Sequence, residues 1–189
     1  MKTQTLGAPF LIEPLSTRLF PKFKGADQYV LTGLSARCDW VILSDTQHPR
    51  TYLHRKRVDG EPRYVFVSMR NPFEALSYFF NEILPLLTRE FILVTGSEDV
   101  TLPRQVDARW RTFNTDERRM IYSIASNPLL IRWYVENLDS SSEPKMSPLP
   151  VGYLDSRGIV PILDVSSTQI LLDRPVRIFV AHRIRPGKQ

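Results

Sequence analysis

The chain of 189 residues has a single cysteine, Cys38. A lone thiol excludes an intramolecular disulfide and any metal site built on a cysteine cluster, and it points to a reducing compartment. Long apolar runs are missing as well. No segment approaches the roughly 18–20 apolar residues of a membrane span, and the opening MKTQTLGAPFLIEPLSTRLF lacks the continuous apolar centre of a secretory signal. The expected location is the cytoplasm, with no membrane span. Glycine is scarce, 8 residues against 15 prolines. Proline is excluded from helix interiors and central strands, so this ratio predicts many short elements joined by stiff loops. There is no P-loop, no GxGxxG after a strand, no HExxH, no GxSxG and no zinc pattern. His48, His54 and His182 lie far apart and read as surface or hydrogen-bonded histidines, so no metal is expected.

What is present is ordinary globular material, 42% hydrophobic and 24% charged, long enough for one domain or for one domain and a fragment of another. The net charge of +5 is informative through its location. Residues 173–189 hold Arg174, Arg177, Arg183, Arg185 and Lys188 against Asp173, five positive charges less one negative, or +4. Such a cluster suits nucleic acid, a phosphate on a small molecule, or an acidic protein surface.

Residues 1–60 read as an irregular region packed on the core, with short strands at Phe10–Ile12, Tyr29–Leu31 and Trp40–Leu43 and a solvated hairpin over 50–63. From residue 64 the pattern sharpens. Tyr64–Ser68, Phe91–Thr95 and Leu130–Val135 are continuous apolar runs of the kind found in parallel strands covered on both faces, with a shorter run at 146–151. Between them lie helical patterns. Asn71 and Pro72 open one over 72–85, carrying Phe73, Leu76, Phe80, Ile83 and Leu84. Asn114 or Thr115 caps another over 115–126, with Met120, Ile121, Ile124 and Ala125 on one side. The linker QVDARWRTFNTD contains Trp110 and Phe113 and has no assignable element. Strand alternating with helix predicts a three-layer α/β domain with a largely parallel sheet over 61–172. Two further apolar runs, Gln169–Leu172 and Arg177–Val180, read as strands, and a new unit opens at 173–189.

In open α/β sheets, ligands bind outside the carboxyl ends of the strands. The polar groups at those ends are Ser68, Arg70 and Asn71, then Thr95, Gly96, Ser97, Glu98 and Asp99, then Glu136 and Asn137, then Gly152 and Tyr153. Parallel neighbours bring them to one edge. Hydroxyls, amides and carboxylates with few aliphatic groups suit a polyhydroxylated ligand, since each hydroxyl taken from water needs a partner. Thr-Gly-Ser followed by two acids is also good turn and cap chemistry, and the sequence admits both readings. Trp133 and Tyr134 sit inside an apolar strand and read as core.

The stretches FVSMRNPFEALSYFFNEILP, LVTGSEDVTLP, IRWYVENLD and KMSPLPVGYL, in that order, resemble the amino-terminal half of exostosin-like glycosyltransferases over about residues 60–189. The resemblance implies a GT-B architecture of two Rossmann-like domains, the first binding the acceptor and the second the nucleotide sugar. It implies no tightly bound metal and no cofactor beyond the nucleotide sugar as co-substrate. On this reading Asp99 or Glu98 is the base for the acceptor hydroxyl. Arg70, Asn71, Thr95, Gly96, Ser97 and Asn137 bind the glycan or other hydroxyl-bearing acceptor. Arg183, Arg185 and Lys188 match positions near the donor diphosphate, in a second domain beginning near Val176 of which nearly all is missing. The resemblance therefore implies a short or truncated form, inactive alone. The competing reading is a non-enzymatic module whose basic tail binds nucleic acid or a protein partner. Nucleic acid is the less expected ligand, because only Phe179 interleaves the tail's charges.

Overall fold

The computed structural model describes residues 20–21, 29–31, 33–45, 51–55 and 60–149. Its elements in chain order are β1 (Phe20–Pro21), β2 (Tyr29–Val30), α1 (Gly33–Arg37), β3 (Trp40–Leu43), β4 (Tyr52–Arg55), β5 (Tyr64–Ser68), α2 (Pro72–Tyr78), β6 (Phe91–Gly96), α3 (Thr115–Ser126), β7 (Leu130–Val135) and β8 (Met146–Pro148). β1 and β2 form a separate antiparallel ribbon. The other six strands make one mixed sheet in the order β4-β3-β5-β6-β7-β8. Only the edge strand β4 runs antiparallel to its neighbour. The domain is thus mixed α/β with a mostly parallel sheet.

Burial on both faces accounts for the continuous apolar runs. Val65, Val67, Leu93, Trp133 and Val135 join the core beneath α2 and α3, while the alternating residues Val41, Leu43, Phe66 and Val94 pack together on the opposite face. The connections β5-α2-β6 and β6-α3-β7 step across the sheet in one direction. Crossovers of one hand that step the same way place their helices on the same face. Both helices accordingly share one core, with Leu76 and Phe79 of the first helical stretch and Ile121 and Ile124 of α3 fully buried or nearly so.

α3 begins with a capping box. The Asn114 side chain accepts from the Glu117 amide and the Glu117 carboxylate accepts from the Asn114 amide, which satisfies two donors at the helix start. The expected helix over 72–85 is present, but it changes type along its length. α2 ends at Tyr78, a wide π turn spans Phe79–Ile83, and a tight 3-10 turn spans Leu84–Leu86. Pro85 is the physical reason: it has no amide to donate and its ring crowds the carbonyl one turn back, so an α ladder cannot run through it. Asn71 makes no side-chain cap, and the Ala75 amide bonds to its carbonyl instead. Of the run at 146–151, Met146–Pro148 is strand, and the Leu149 amide still donates to the Val135 carbonyl. Residues 150–151 lie outside the described residues, as do the expected strands at Phe10–Ile12, Gln169–Leu172 and Arg177–Val180. Tyr134, expected in the core, is 36% exposed, whereas Trp133 is fully buried. Among the described residues no helix is long and apolar enough to cross a membrane.

Candidate functional site

The buried polar side chains are not spread evenly through the domain. Among the described residues they are Ser35, Ser44, Asp45, Ser68, Thr95, Ser97, Gln105 and Glu136. Six of these eight, all but Ser35 and Gln105, lie at or just beyond the carboxyl ends of β3, β5, β6 and β7. Parallel pairing sets those four ends side by side. Burying a polar group costs free energy unless it is bonded, so each must be tied down.

The ties run between strand ends. Arg70 Nε donates to Asp45 Oδ2 at 2.8 Å, with Asp45 4% and Arg70 26% exposed. The Ser68 hydroxyl donates to the Ser44 carbonyl, and the Ser44 hydroxyl to the Asn71 carbonyl. The Trp133 indole donates to the Thr95 hydroxyl at 3.0 Å across β6 and β7. Ser97 has φ 80, a left-handed conformation uncommon for serine. Its amide donates to Glu136 Oε2 at 2.6 Å, a bond to a buried carboxylate that holds the turn in place. The Asn137 side-chain amide donates to the Glu98 carbonyl. Ser97, Glu98, Glu136 and Asn137 thus form one joint between two loops.

The same joint extends outward. The Leu102 amide bonds to the Asn137 carbonyl and the Asp139 amide returns the bond to Leu102. The Asp139 carboxylate accepts from the Thr101 hydroxyl and from the amides of Arg104 and Gln105. The loop from Ser97 to Phe113 is therefore a fixed structure. At its rim Arg109 forms ion pairs with both Asp99 and Asp107. The guanidinium hydrogen bond holds the Asp107 carboxyl below the usual carboxylate range, and the two acids raise the Arg109 guanidinium in turn. Arg111 does the same to Glu117 while lying 3.6 Å above the Phe73 ring.

The structure brings Ser97, Glu98, Asp99 and Asn137 into one cluster. Arg70 and Asn71 lie on the same edge at the end of the neighbouring strand β5, held by Asp45 and Ser44. Thr95 and Gly96 are buried in the sheet, with the Gly96 carbonyl accepting from the Met69 amide. Arg70, Asn71, Glu98, Asp99 and Asn137 form a half-exposed rim over the buried polar floor. Arg183, Arg185, Lys188, Gly152 and Tyr153 lie outside the described residues, as do His48 and His182. Ser44 and Asp45 are not among the residues expected from sequence, because a short apolar run such as Trp40–Leu43 does not by itself show that it pairs with β5. The signal was present, since Trp-Val-Ile-Leu ends in Ser-Asp much as Phe-Ile-Leu-Val ends in Thr-Gly-Ser. Two cavities lie away from this edge: an apolar one of about 320 Å³ on the opposite sheet face between α1 and Tyr134, and a polar one of about 440 Å³ at the amino ends of β5 and β6. Among the described residues no group of three or more His, Cys, Asp or Glu is placed to hold a metal ion. Comparison of the chain with protein-family models, curated proteins and solved structures gives no match.

Proposed function

We propose that the carboxyl edge of the sheet is the acceptor-binding surface of an exostosin-like, GT-B-type glycosyltransferase, and that residues 61–149 belong to its Rossmann-like acceptor domain. The observation that supports this reading is the concentration of six buried polar side chains at four adjacent strand ends. A sheet edge with only a structural purpose has no need to bury so many groups that each require a partner. A half-exposed rim of carboxylates, amides and a guanidinium offers both donors and acceptors to a polyhydroxylated ligand.

In the reaction this reading implies, Asp99 or Glu98 takes the proton of an acceptor hydroxyl as its oxygen attacks the anomeric carbon of a nucleotide sugar. The bond from that carbon to the diphosphate breaks, and the diphosphate leaves with the electron pair. Asp99 must exchange its contact with Arg109 for the acceptor, whereas Glu98 accepts from the Asn137 side-chain amide at its carbonyl and from the Asp99 amide at its carboxylate. Glu136 positions the Ser97 turn from beneath. Arg183, Arg185 and Lys188 are proposed for the donor diphosphate, where charge-assisted bonds offset the developing negative charge.

The test is nuclear magnetic resonance titration of the full chain with nucleotide sugars and with neutral glycans. The reading expects saturable binding whose shifts centre on Arg70, Glu98, Asp99 and Asn137. Binding of nucleic acid with a steep salt dependence, and no shift at those four residues, would replace it with the basic-tail module.

A further inference from the structure

Trp110 stands at the rim of this edge with an unusual degree of support. It lies on the fixed loop beyond β6, next in sequence to Arg109, whose guanidinium reaches Asp99. Its ring meets Phe73 edge-on at 6.2 Å, and Phe73 meets the buried Phe113 at 5.5 Å. Phe73 belongs to the first turn of α2, directly after the rim residue Asn71. A line of aromatics therefore climbs from the core to the rim and ends at a half-buried indole. The backbone beneath it is held from two sides, the Trp110 amide donating to the Asp107 carbonyl and the buried Gln105 side chain donating to the Trp110 carbonyl. Trp40 and Trp133, by contrast, are 3% and 0% exposed.

We infer that Trp110 is the stacking platform of a sugar subsite, set against Asp99 and Arg109, which take the hydroxyls of the same ring. This rests on the glycosyltransferase reading and specifies what its acceptor must offer: a hexopyranose with one face free of axial hydroxyls. Such a ring has an apolar face of C–H groups and an equatorial belt of hydroxyls. An indole beside a carboxylate and a guanidinium matches both halves, burying the first and bonding the second. Because the loop is already fixed, little ordering entropy opposes binding. Packing on Phe73 alone would be served equally by an aliphatic residue, which gives the inference a sharp test.

Maltohexaose, cellohexaose, chitohexaose and mannohexaose are titrated into the full chain, with binding followed by saturation-transfer magnetic resonance and by tryptophan emission. The inference expects at least one hexasaccharide to bind and to shift the emission. Trp110→Leu, which keeps apolar packing, should raise the dissociation constant about tenfold, and Trp110→Tyr should stay within about twofold. Binding that leaves the emission of the unaltered protein unchanged overturns the stacking role without any variant. Equal affinity in Trp110→Leu overturns it too, and in both cases the acceptor reading survives. Failure of all four to bind at millimolar concentration overturns both.

Discussion

The two edges of the sheet use carboxylates in opposite ways. At the amino edge Asp39 accepts from the amides of Arg63 and Tyr64, and Glu61 accepts from the Thr88 hydroxyl and from the amides of Thr88 and Arg89. These bonds tie side-chain carboxylates to backbone amides at the strand starts, in contact with water. At the carboxyl edge Asp45 and Glu136 lie in the interior, one bonded to a guanidinium and the other to a backbone amide in a left-handed turn. A carboxylate in water can lose its partner at small cost, whereas a buried one cannot. The amino edge is thus stapled, and the carboxyl edge is built.

That contrast can be broken by substitution. Arg70→Met should have the largest effect, about 3 kcal/mol of lost stability, because it withdraws the guanidinium from a carboxylate buried within the sheet end. Denaturant unfolding measures it, and a loss below about 1 kcal/mol would place Asp45 with the solvated clamps of the other edge. Glu136→Ala comes next at about 2 kcal/mol, since the Ser97 amide is left without its charged acceptor. Amide exchange at Ser97 and Glu98 should accelerate with it. If only the global midpoint moves, Glu136 does not hold this turn.

Asp99→Asn is the sharpening case, because Asp99 lies on the carboxyl edge but at its half-exposed rim. Its pairing with Arg109 should contribute only about 0.5 kcal/mol, and Arg109 keeps Asp107 in the variant. A cost of 2 kcal/mol or more would make the rim part of the built interior and would weaken its candidacy as a ligand surface.

Glu61→Gln should have the smallest effect at neutral pH and is read through pH dependence. The Thr88 hydroxyl, followed by its amide, holds Glu61 below the ordinary value of 4.5. A folded-state pKa below the unfolded one gives stability that is fully present above about 4.5 and is lost as pH falls through the folded value. The thermal midpoint of Glu61→Gln should therefore fall less steeply below pH 4.5 than that of the unaltered chain, with Asp107 and Glu117 contributing the same background to both. Parallel curves would show that the clamp has no linkage to folding.

Local sequence determined the elements wherever pattern and cap agreed. The apolar runs at 64–68, 91–95 and 130–135 and the helix over 115–126 stand where periodicity and Asn114 put them, because continuous burial and end capping are both written in neighbouring residues. The same locality explains why the change of helix type within 72–85 was not legible, since Pro85 acts on hydrogen bonds a turn away and leaves the helical face intact while changing the ladder. The gathering of Ser97, Glu98, Asp99 and Asn137 is legible in the sequence because parallel strands bring their carboxyl ends to one edge. What only the tertiary structure decided is which partner each polar group takes. Asp45 finds Arg70 across 25 residues, Glu136 finds Ser97 across 39, and Thr95 finds Trp133 across 38. Strand order and register set those pairings, and both depend on how distant faces pack, which no single stretch of chain encodes.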